Sequence, residues 1–382
     1  MEPAQRVGIV GGGQLAVMMA DAAERLGLEV DALARCPDDP IFTTGRRARV
    51  GDSRSLEDLR TLAARTDVLT FDHELIDHRV LAQLEREGVV IRPGSTAMAI
   101  ATNKERQFGL FEYLALAQPE TVVVSDLSAA LNAIEKFDRA AVLKTATGGY
   151  DGRGVLLDSS EAAVSAWFPV RQTSVLVQRR VDVESEIAVQ VVRAHDGSVV
   201  AYAPARTVQS NGMCSVVHVP AEVSPELEQK ACACAKEIAE AIDVVGLLTV
   251  EFFVAKGELV VNELAARPHN SGHLTIEACQ TSQFENHMRA VAGLPLGPTD
   301  FVVPAAAMAN IVGPITAKCG SDAAGENVAV HLYGKTPRPG RKLGHVTATA
   351  ESTSKAIGLA LDAVSHLHNA DKQDPKTETE NS

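Results

Sequence analysis

Lys144-Thr145-Ala146-Thr147-Gly148-Gly149-Tyr150-Asp151-Gly152-Arg153-Gly154 is the stretch on which the reading of this chain turns. Ala141-Val142-Leu143 ahead of it reads as a short buried strand running into the lysine. Glycines at 148, 149, 152 and 154 let the backbone take positive φ angles and approach a ligand closely. Successive free N–H groups in such a turn form an anion-binding concavity. A lysine just before it supplies a point charge for phosphate. An ordinary surface hairpin with an exposed lysine has the same sequence, so the loop by itself leaves both readings open.

Length and charge narrow the setting. A chain of 382 residues predicts two or three domains with ample cores. Its net charge of −13 argues against nucleic acid or an anionic membrane as partner, since both need a basic face. An anionic small substrate needs only a local basic pocket. There is no apolar run long enough to span a bilayer, and Met1 to Arg6 do not begin a secretory leader. Six cysteines without a CxxC or zinc spacing predict free thiols in a reducing cytoplasm.

Toward the N-terminus, Arg6 to Val10 reads as a strand running into Gly11-Gly12-Gly13-Gln14. A helix follows from about Leu15 to Leu26, then a strand from Leu28 to Leu33. Gly11-x-Gly13-x-x-Ala16 matches the dinucleotide fingerprint, and Asp31 lies near the distance of its ribose-binding acid. An NAD-dependent dehydrogenase is therefore a second reading at this point. The alternation continues with a helix capped by Ser55 to about Arg65, a strand Val68–Phe71 and the acidic turn Asp72-His73-Glu74. A helix from Asp77 to Glu87 and a strand Val89–Ile91 close a doubly wound parallel-sheet domain. Ligands of such sheets sit at the C-terminal strand ends, where Gln14 and Glu74 fall. A solvated loop carboxylate is the other reading of Glu74.

Beyond a linking helix, Asn103 to Leu116, the segment Thr121 to Val181 reads as a compact β-α-β-β-α-β unit, a flap with the glycine loop between two strands. From Glu184 the chain becomes strand-rich, with a long helix from Ser224 to Ile242 begun by Pro225. Leu247–Val254 and Glu258–Asn262 flank the hairpin signal Ala255-Lys256-Gly257. A turn centred on Gly257 opposes Glu251 to Glu263, and like charges directly opposed are destabilising. Around a cation the arrangement makes sense, and two carboxylates completed by phosphate and water suit Mg²⁺. A register different by one turns one glutamate to water instead.

Arg267-Pro268-His269-Asn270-Ser271-Gly272-His273 is too polar for an apolar core segment and reads as an anion-handling loop, with a plain polar loop at a sheet edge as the other reading. Lys335, Arg338, Arg341 and Lys342 bring four cations into one Gly/Pro-bounded turn, which reads as a phosphate clamp, with a solvated basic turn as the other reading. Thr353 to Leu367 is a closing helix, and 369–382 reads as a disordered tail.

In this order the motifs resemble the ATP-grasp superfamily and, within it, the N5-carboxyaminoimidazole ribonucleotide synthetases of purine biosynthesis, over about residues 6 to 367. The histidine-containing loop is the most specific marker. The resemblance implies an ATP-grasp fold, mixed α/β and α+β. An N-terminal domain (1–103) and a linker helix with lid (104–181) precede a larger mixed-sheet catalytic domain (182–368) and the tail. It implies that ATP is held by Lys104, Lys144, Gly149, Gly152, the adenine-edge segment Gln178-Arg179-Arg180-Val181, Glu186, Gln209, Asn262 and Glu263. Mg²⁺ falls to Glu251 and Glu263. Tyr150, Asp151, Arg153, Arg267, His269 and Asn270 become catalytic. Gln14, Glu74, Ser271, Lys335, Arg338, Arg341 and Lys342 become contacts to 5-aminoimidazole ribonucleotide. The implied reaction joins that ribonucleotide to bicarbonate through carboxyphosphate, in a cytoplasmic homodimer. Gln209 stands where many members have histidine, and His73 where an aromatic residue lies between two glutamates. A formate-using ATP-grasp ligase, such as glycinamide ribonucleotide transformylase, is the neighbouring alternative. A non-catalytic nucleotide-binding regulator is a third, and mere binding would not need both glutamates and the lid lysine.

Overall fold

The computed structural model describes residues 3–149, 154–168, 173–210, 212–313 and 325–373. The chain begins with strand β1 (Arg6–Val10), helix α1 (Gln14–Arg25), β2 (Glu29–Ala34), β3 (Arg47–Val50), α2 (Leu56–Ala63), β4 (Val68–Phe71) and α3 (His78–Arg86). The four strands form a parallel sheet in the order β3-β2-β1-β4. Ser55 and Asp77 start α2 and α3 by accepting the N–H groups of Asp58 and Arg79, which satisfies donors the helix cannot. The strand expected at Val89–Ile91 is reduced to one bridge between Ile91 and Leu69. Arg92 N–H still donates to Leu69 O, but Gly94, whose N–H would continue the ladder, already caps the helix Ser95–Ala101. Two helices then cross over, α4 (Ser95–Ala101) and α5 (Lys104–Tyr113), the second capped by Asn103.

The flap is β5 (Thr121–Val124), α6 (Leu127–Lys136), β6 (Ala141–Thr145), β7 (Val155–Leu156), α7 (Glu161–Trp167) and β8 (Val175–Arg179). Its sheet runs β5-β8-β6-β7, and among the described residues its apolar cluster around Phe137, Leu143 and Val177 draws only on the flap.

The large unit adds β9 (Ser185–Arg193), β10 (Val199–Ala201), β11 (Ala205–Ser210), β12 (Met213–Val219), α8 (Pro225–Ala241), β13 (Gly246–Ala255) and β14 (Glu258–Ala265). After these come α9 (Thr275–Ala278), α10 (Gln283–Ala292), β15 (Ala305–Val312), β16 (Val328–Leu332), β17 (Lys342–Ala350) and α11 (Thr353–Gln373). Its sheet runs β14-β13-β9-β11-β12-β15-β17-β16, with β10 on β9. The described pairings within it are antiparallel. Helix α11 passes Asn369 and reaches Gln373, so the first part of the expected tail is helical. No Gly or Pro stands between Gly358 and Pro375 to stop it. The rest of that tail, 374–382, lies outside the described residues.

The first and last units share their cores. One cluster joins Leu69 and Phe71 of β4 to Val189, Val250 and Phe252 of the large sheet. Another joins Ile9 and Met19 to Phe284, Met288 and Tyr333.

Candidate active site

The site lies where the flap faces the edge strands of the large sheet. Lys256 and Gly257 both have positive φ (51° and 72°), the two-residue turn that matches strand twist, and Ala255 pairs with Glu258. That register, continued, would set Glu251 against Asn262. Instead Phe252 pairs with Val261 and Glu251 with Glu263, leaving Asn262 as an extra residue. Leu259 and Val261 face the core beside α8, and simple alternation would send Glu263 in after them. The bulge puts Leu264 into the core and turns Glu263 to the cleft beside Glu251. The expected opposition of the two glutamates is present, with a different turn centre and a bulge that offsets it.

Two lysines meet these carboxylates. Lys104, first residue of α5, pairs through Nζ with Glu263 Oε2. Lys144 on β6 donates to Asn262 Oδ1 at 2.8 Å. The side chains of Glu251 and Glu263 remain 25% and 35% open on the cleft side. Burial and the nearby Glu263 and Glu186 raise the Glu251 carboxyl. Burial also works against ionised Glu263, but the charges of Lys104 and Lys144 outweigh it and hold that carboxyl low. Burial, with the like charge of Lys104, brings Lys144 down to about 8. Among the described residues, no group of three or more His, Cys, Asp and Glu side chains is gathered to hold a metal unaided. Two carboxylates at a cleft mouth do fit Mg²⁺, whose remaining positions go to phosphate and water.

A cleft between α5, β8 and β14 is lined by the apolar side chains of Phe108 and Leu176 together with Gln178, Lys104, Lys144 and Asn262. Gln178 is buried, and its amide donates to Thr121 Oγ1 at 3.0 Å. The Arg179 side chain is spent on the flap, against Glu120 (3.1 Å) and over the Phe137 ring (4.8 Å). Glu186 accepts from Gln209 Nε2 at 2.9 Å, and burial raises its carboxyl.

The histidine loop follows β14. Glu74, at the C-terminal end of β4, accepts from Ala266 N at 2.9 Å and lies 3.8 Å from Arg267 Nε. It thus sets the position of Arg267 across the two units; burial raises this carboxyl too. His269 Nε2 lies 3.4 Å from Glu251 Oε1. Asn270 and Asn310 exchange side-chain amide hydrogen bonds at 2.9 and 2.8 Å. Ser271 is 1% exposed, with Oγ between Gln190 Nε2 and His269 Nδ1 (2.8 Å each). The expected substrate contact for Ser271 is therefore corrected: it supports His269 from behind. Gln190 and Asn310 escaped the sequence reading. A polar residue inside Ile187-Ala188-Val189-Gln190-Val191-Val192 or Ala305 to Val312 was the available signal.

The basic turn comes back to the first unit. Arg341 stands near Arg338, Cys36 and Asp39, and Gly334 approaches Thr43. Lys335 Nζ lies 5.4 Å over the Tyr333 ring. Lys342 opens β17. Gln14 opens α1 on the same side, at the C-terminal end of β1. Tyr150, Asp151, Gly152 and Arg153 lie outside the described residues, and Gly149 is the last residue before them.

The glycine turn is closed to a dinucleotide. Asp72 Oδ2 already accepts Gly13 N–H at 2.7 Å, and a Cβ on Gly11 would meet Asp72 Oδ1 at 1.6 Å. A buried carboxylate stands where a pyrophosphate would need donors. Asp31, the acid of the nicotinamide reading, is 3% exposed and paired with Arg65 at 3.1 Å.

Comparison with known proteins agrees with this geometry. Residues 4–102 match the ribonucleotide synthetase preATP-grasp domain, 109–284 the ATP-grasp domain, and 306–358 the phosphoribosylaminoimidazole carboxylase C-terminal domain. The N5-carboxyaminoimidazole ribonucleotide synthase of Mycobacterium tuberculosis is 38% identical, across 97% of this chain and 90% of its own. The chain belongs to the N5-carboxyaminoimidazole ribonucleotide synthase family. Another member, from Bacillus subtilis, is 34% identical over 90% of this chain and 91% of its own. The Aspergillus clavatus synthase, crystallised with ADP and 5-aminoimidazole ribonucleotide, superposes with a TM-score of 0.86 at 29% identity. That match covers 96% of this chain and 100% of the other. The ATP-grasp architecture expected from the motifs is thus the fold of this synthase family.

Proposed function

We propose that this chain is an ATP-dependent carbon–nitrogen ligase that carboxylates 5-aminoimidazole ribonucleotide with bicarbonate, releasing ADP and phosphate. The observation that carries the reading is the convergence of Lys104, Lys144, Glu251 and Glu263 at the flap cleft, in a chain whose family is named for this product.

ATP enters the slot between α5, β8 and β14, its phosphates toward Lys104 and Lys144. Glu251 and Glu263 would hold Mg²⁺ against those phosphates, where it neutralises charge during phosphoryl transfer. Lys104 exchanges its carboxylate partner for phosphate as nucleotide binds. A bicarbonate oxygen attacks the γ-phosphorus and the bond to ADP breaks, giving carboxyphosphate. The ribonucleotide amine then attacks the carboxyl carbon, phosphate leaves, and the nitrogen gives up a proton. Arg267, His269 and Asn270 supply cationic and hydrogen-bonding groups beside the phosphoryl-transfer site. Lys335, Arg338, Arg341 and Lys342 hold the ribonucleotide phosphate, with Gln14 at the same strand ends. Holding each reactant by charges remote from the reacting atoms is the proximity contribution to rate. Tyr150, Asp151 and Arg153 complete this reading from the flap loop. The resemblance also supports a cytoplasmic homodimer, for which sedimentation is the check of assembly.

The test is ADP release with each substrate omitted in turn, and labelled bicarbonate followed into an acid-labile carbamate. Label should appear when ATP and the ribonucleotide are both present. ADP release supported by formate in place of bicarbonate would move the chain to the formyl-transferring ligases.

A further inference from the structure

His269 is held at three points. Its backbone is gripped by Gln283, whose Oε1 accepts His269 N–H at 3.0 Å and whose Nε2 donates to His269 O at 2.8 Å. Gly272 leaves room for this, since a Cβ there would meet Gln283 Oε1 at 2.4 Å and Gln190 Cγ at 3.1 Å. The ring is fixed separately. The Ser271 backbone N–H, which can only donate, points to His269 Nδ1 at 3.3 Å. The Ser271 hydroxyl lies 2.8 Å from the same nitrogen. That hydroxyl accepts from Gln190 Nε2 at 2.8 Å, so its own proton is free to go to Nδ1. Gln190 and Ser271 are each 1% exposed, out of reach of substrate. Two donors therefore converge on Nδ1. In the neutral ring the proton must sit on Nε2, which faces Glu251 at 3.4 Å.

We propose that Gln190 and Ser271 are positioning residues that fix His269 as an Nε2–H donor turned toward the phosphoryl-transfer site, so that the ring gives a hydrogen bond to developing charge and takes no proton. The inference rests on the reaction proposed above. It assigns His269 a role distinct from a general base, whose accepting nitrogen would have to face the reactants.

The tautomer can be read without turnover. In the full-length, ligand-free protein labelled with ¹⁵N-histidine, the His269 signals are those lost in His269→Gln. With the ring neutral, they should show the proton on Nε2, and Ser271→Ala should shift them toward the other tautomer. In turnover, glutamine can place an amide N–H near the Nε2 position, whereas asparagine places one near Nδ1. His269→Gln should then keep kcat within about tenfold of wild type, while His269→Asn loses about 10²–10³-fold, as for removal of one preorganised donor. Ser271→Ala should lower kcat and leave the KM values for ATP and the ribonucleotide unchanged, and Ser271→Thr should restore it. An Nδ1–H tautomer in the wild-type protein, or equal loss in the glutamine and asparagine variants, overturns the proposal. Wild-type ADP release that ignores bicarbonate defeats the proposed reaction instead, and leaves the tautomer measurement standing.

Discussion

Glu251 and Glu263 share the cleft because Asn262 is an extra residue in β14. The bulge also puts Asn262 within 2.8 Å of Lys144, so one irregularity positions two carboxylates and orients a lysine. Glu263→Gln keeps the shape and removes the charge. It should lower kcat by about 10²–10³-fold, the scale for losing one preorganised electrostatic group. The measurement is kcat at ordinary Mg²⁺ concentration, with a circular dichroism spectrum to show the fold intact. Undiminished turnover would remove Glu263 from the metal site.

The basic turn carries the second expectation. Arg341→Ala should raise the KM for the ribonucleotide by about ten- to a hundredfold, the range for a hydrogen bond to a charged group. It should leave kcat and the KM for ATP close to wild type. A change confined to the KM for ATP would place the ribonucleotide phosphate elsewhere.

Lys144 gives a pH dependence. Its folded value, about 8, lies below the ordinary 10.5, so its charge is lost as pH rises through about 8. The kcat/KM for ATP should fall above that pH. Lys144→Arg, charged throughout, should remove the fall. Stability moves the other way. Between the two values the unfolded chain binds more protons, so the ligand-free protein should gain stability as pH rises. Rate profiles and denaturant melts over that window read the two effects separately.

His287 joins the first and last units. It accepts Leu247 N–H on Nδ1 at 3.1 Å and faces Thr70 Oγ1 with Nε2 at 2.8 Å. Burial takes it down to about 3. Its contribution to stability is complete above the ordinary 6.5 and is lost as pH falls toward the folded value. His287→Leu should cost about 1–3 kcal/mol for each polar group left unsatisfied. It should also flatten part of the acid-side slope, which it shares with buried His218, His273 and His345, likewise lowered by burial, and with carboxylates held low by their partners, such as Asp67 and Glu263. Equilibrium denaturation at several pH values is the check.

Periodicity made most of the first unit and the flap legible, because short loops and capping residues such as Ser55, Asp77 and Asp126 mark where elements begin. It was poor where local preference and tertiary role disagree. Ala305-Ala306-Ala307-Met308-Ala309 favours a helix by propensity, yet it is an inner strand. There Ala307 and Ala309 share an apolar cluster with Ala356, Ala360 and Ala363 of α11. The charged residues of the site stood out because they interrupt apolar runs. Their supports did not: the role of Ser271 is set by Gln190, far away in sequence, and no spacing rule connects them.

The shared cores decide how this molecule could be cut. Tyr333 lies far along the chain, yet it is buried with Ile9 and Met19. A gene split after residue 103 would leave both fragments with raw apolar faces, and neither would be a natural product of domain shuffling. The flap, with its own cluster around Phe137, enters and leaves the chain as a cassette. In mechanical terms the synthase is an anvil and a hammer, although its chain is written in three parts.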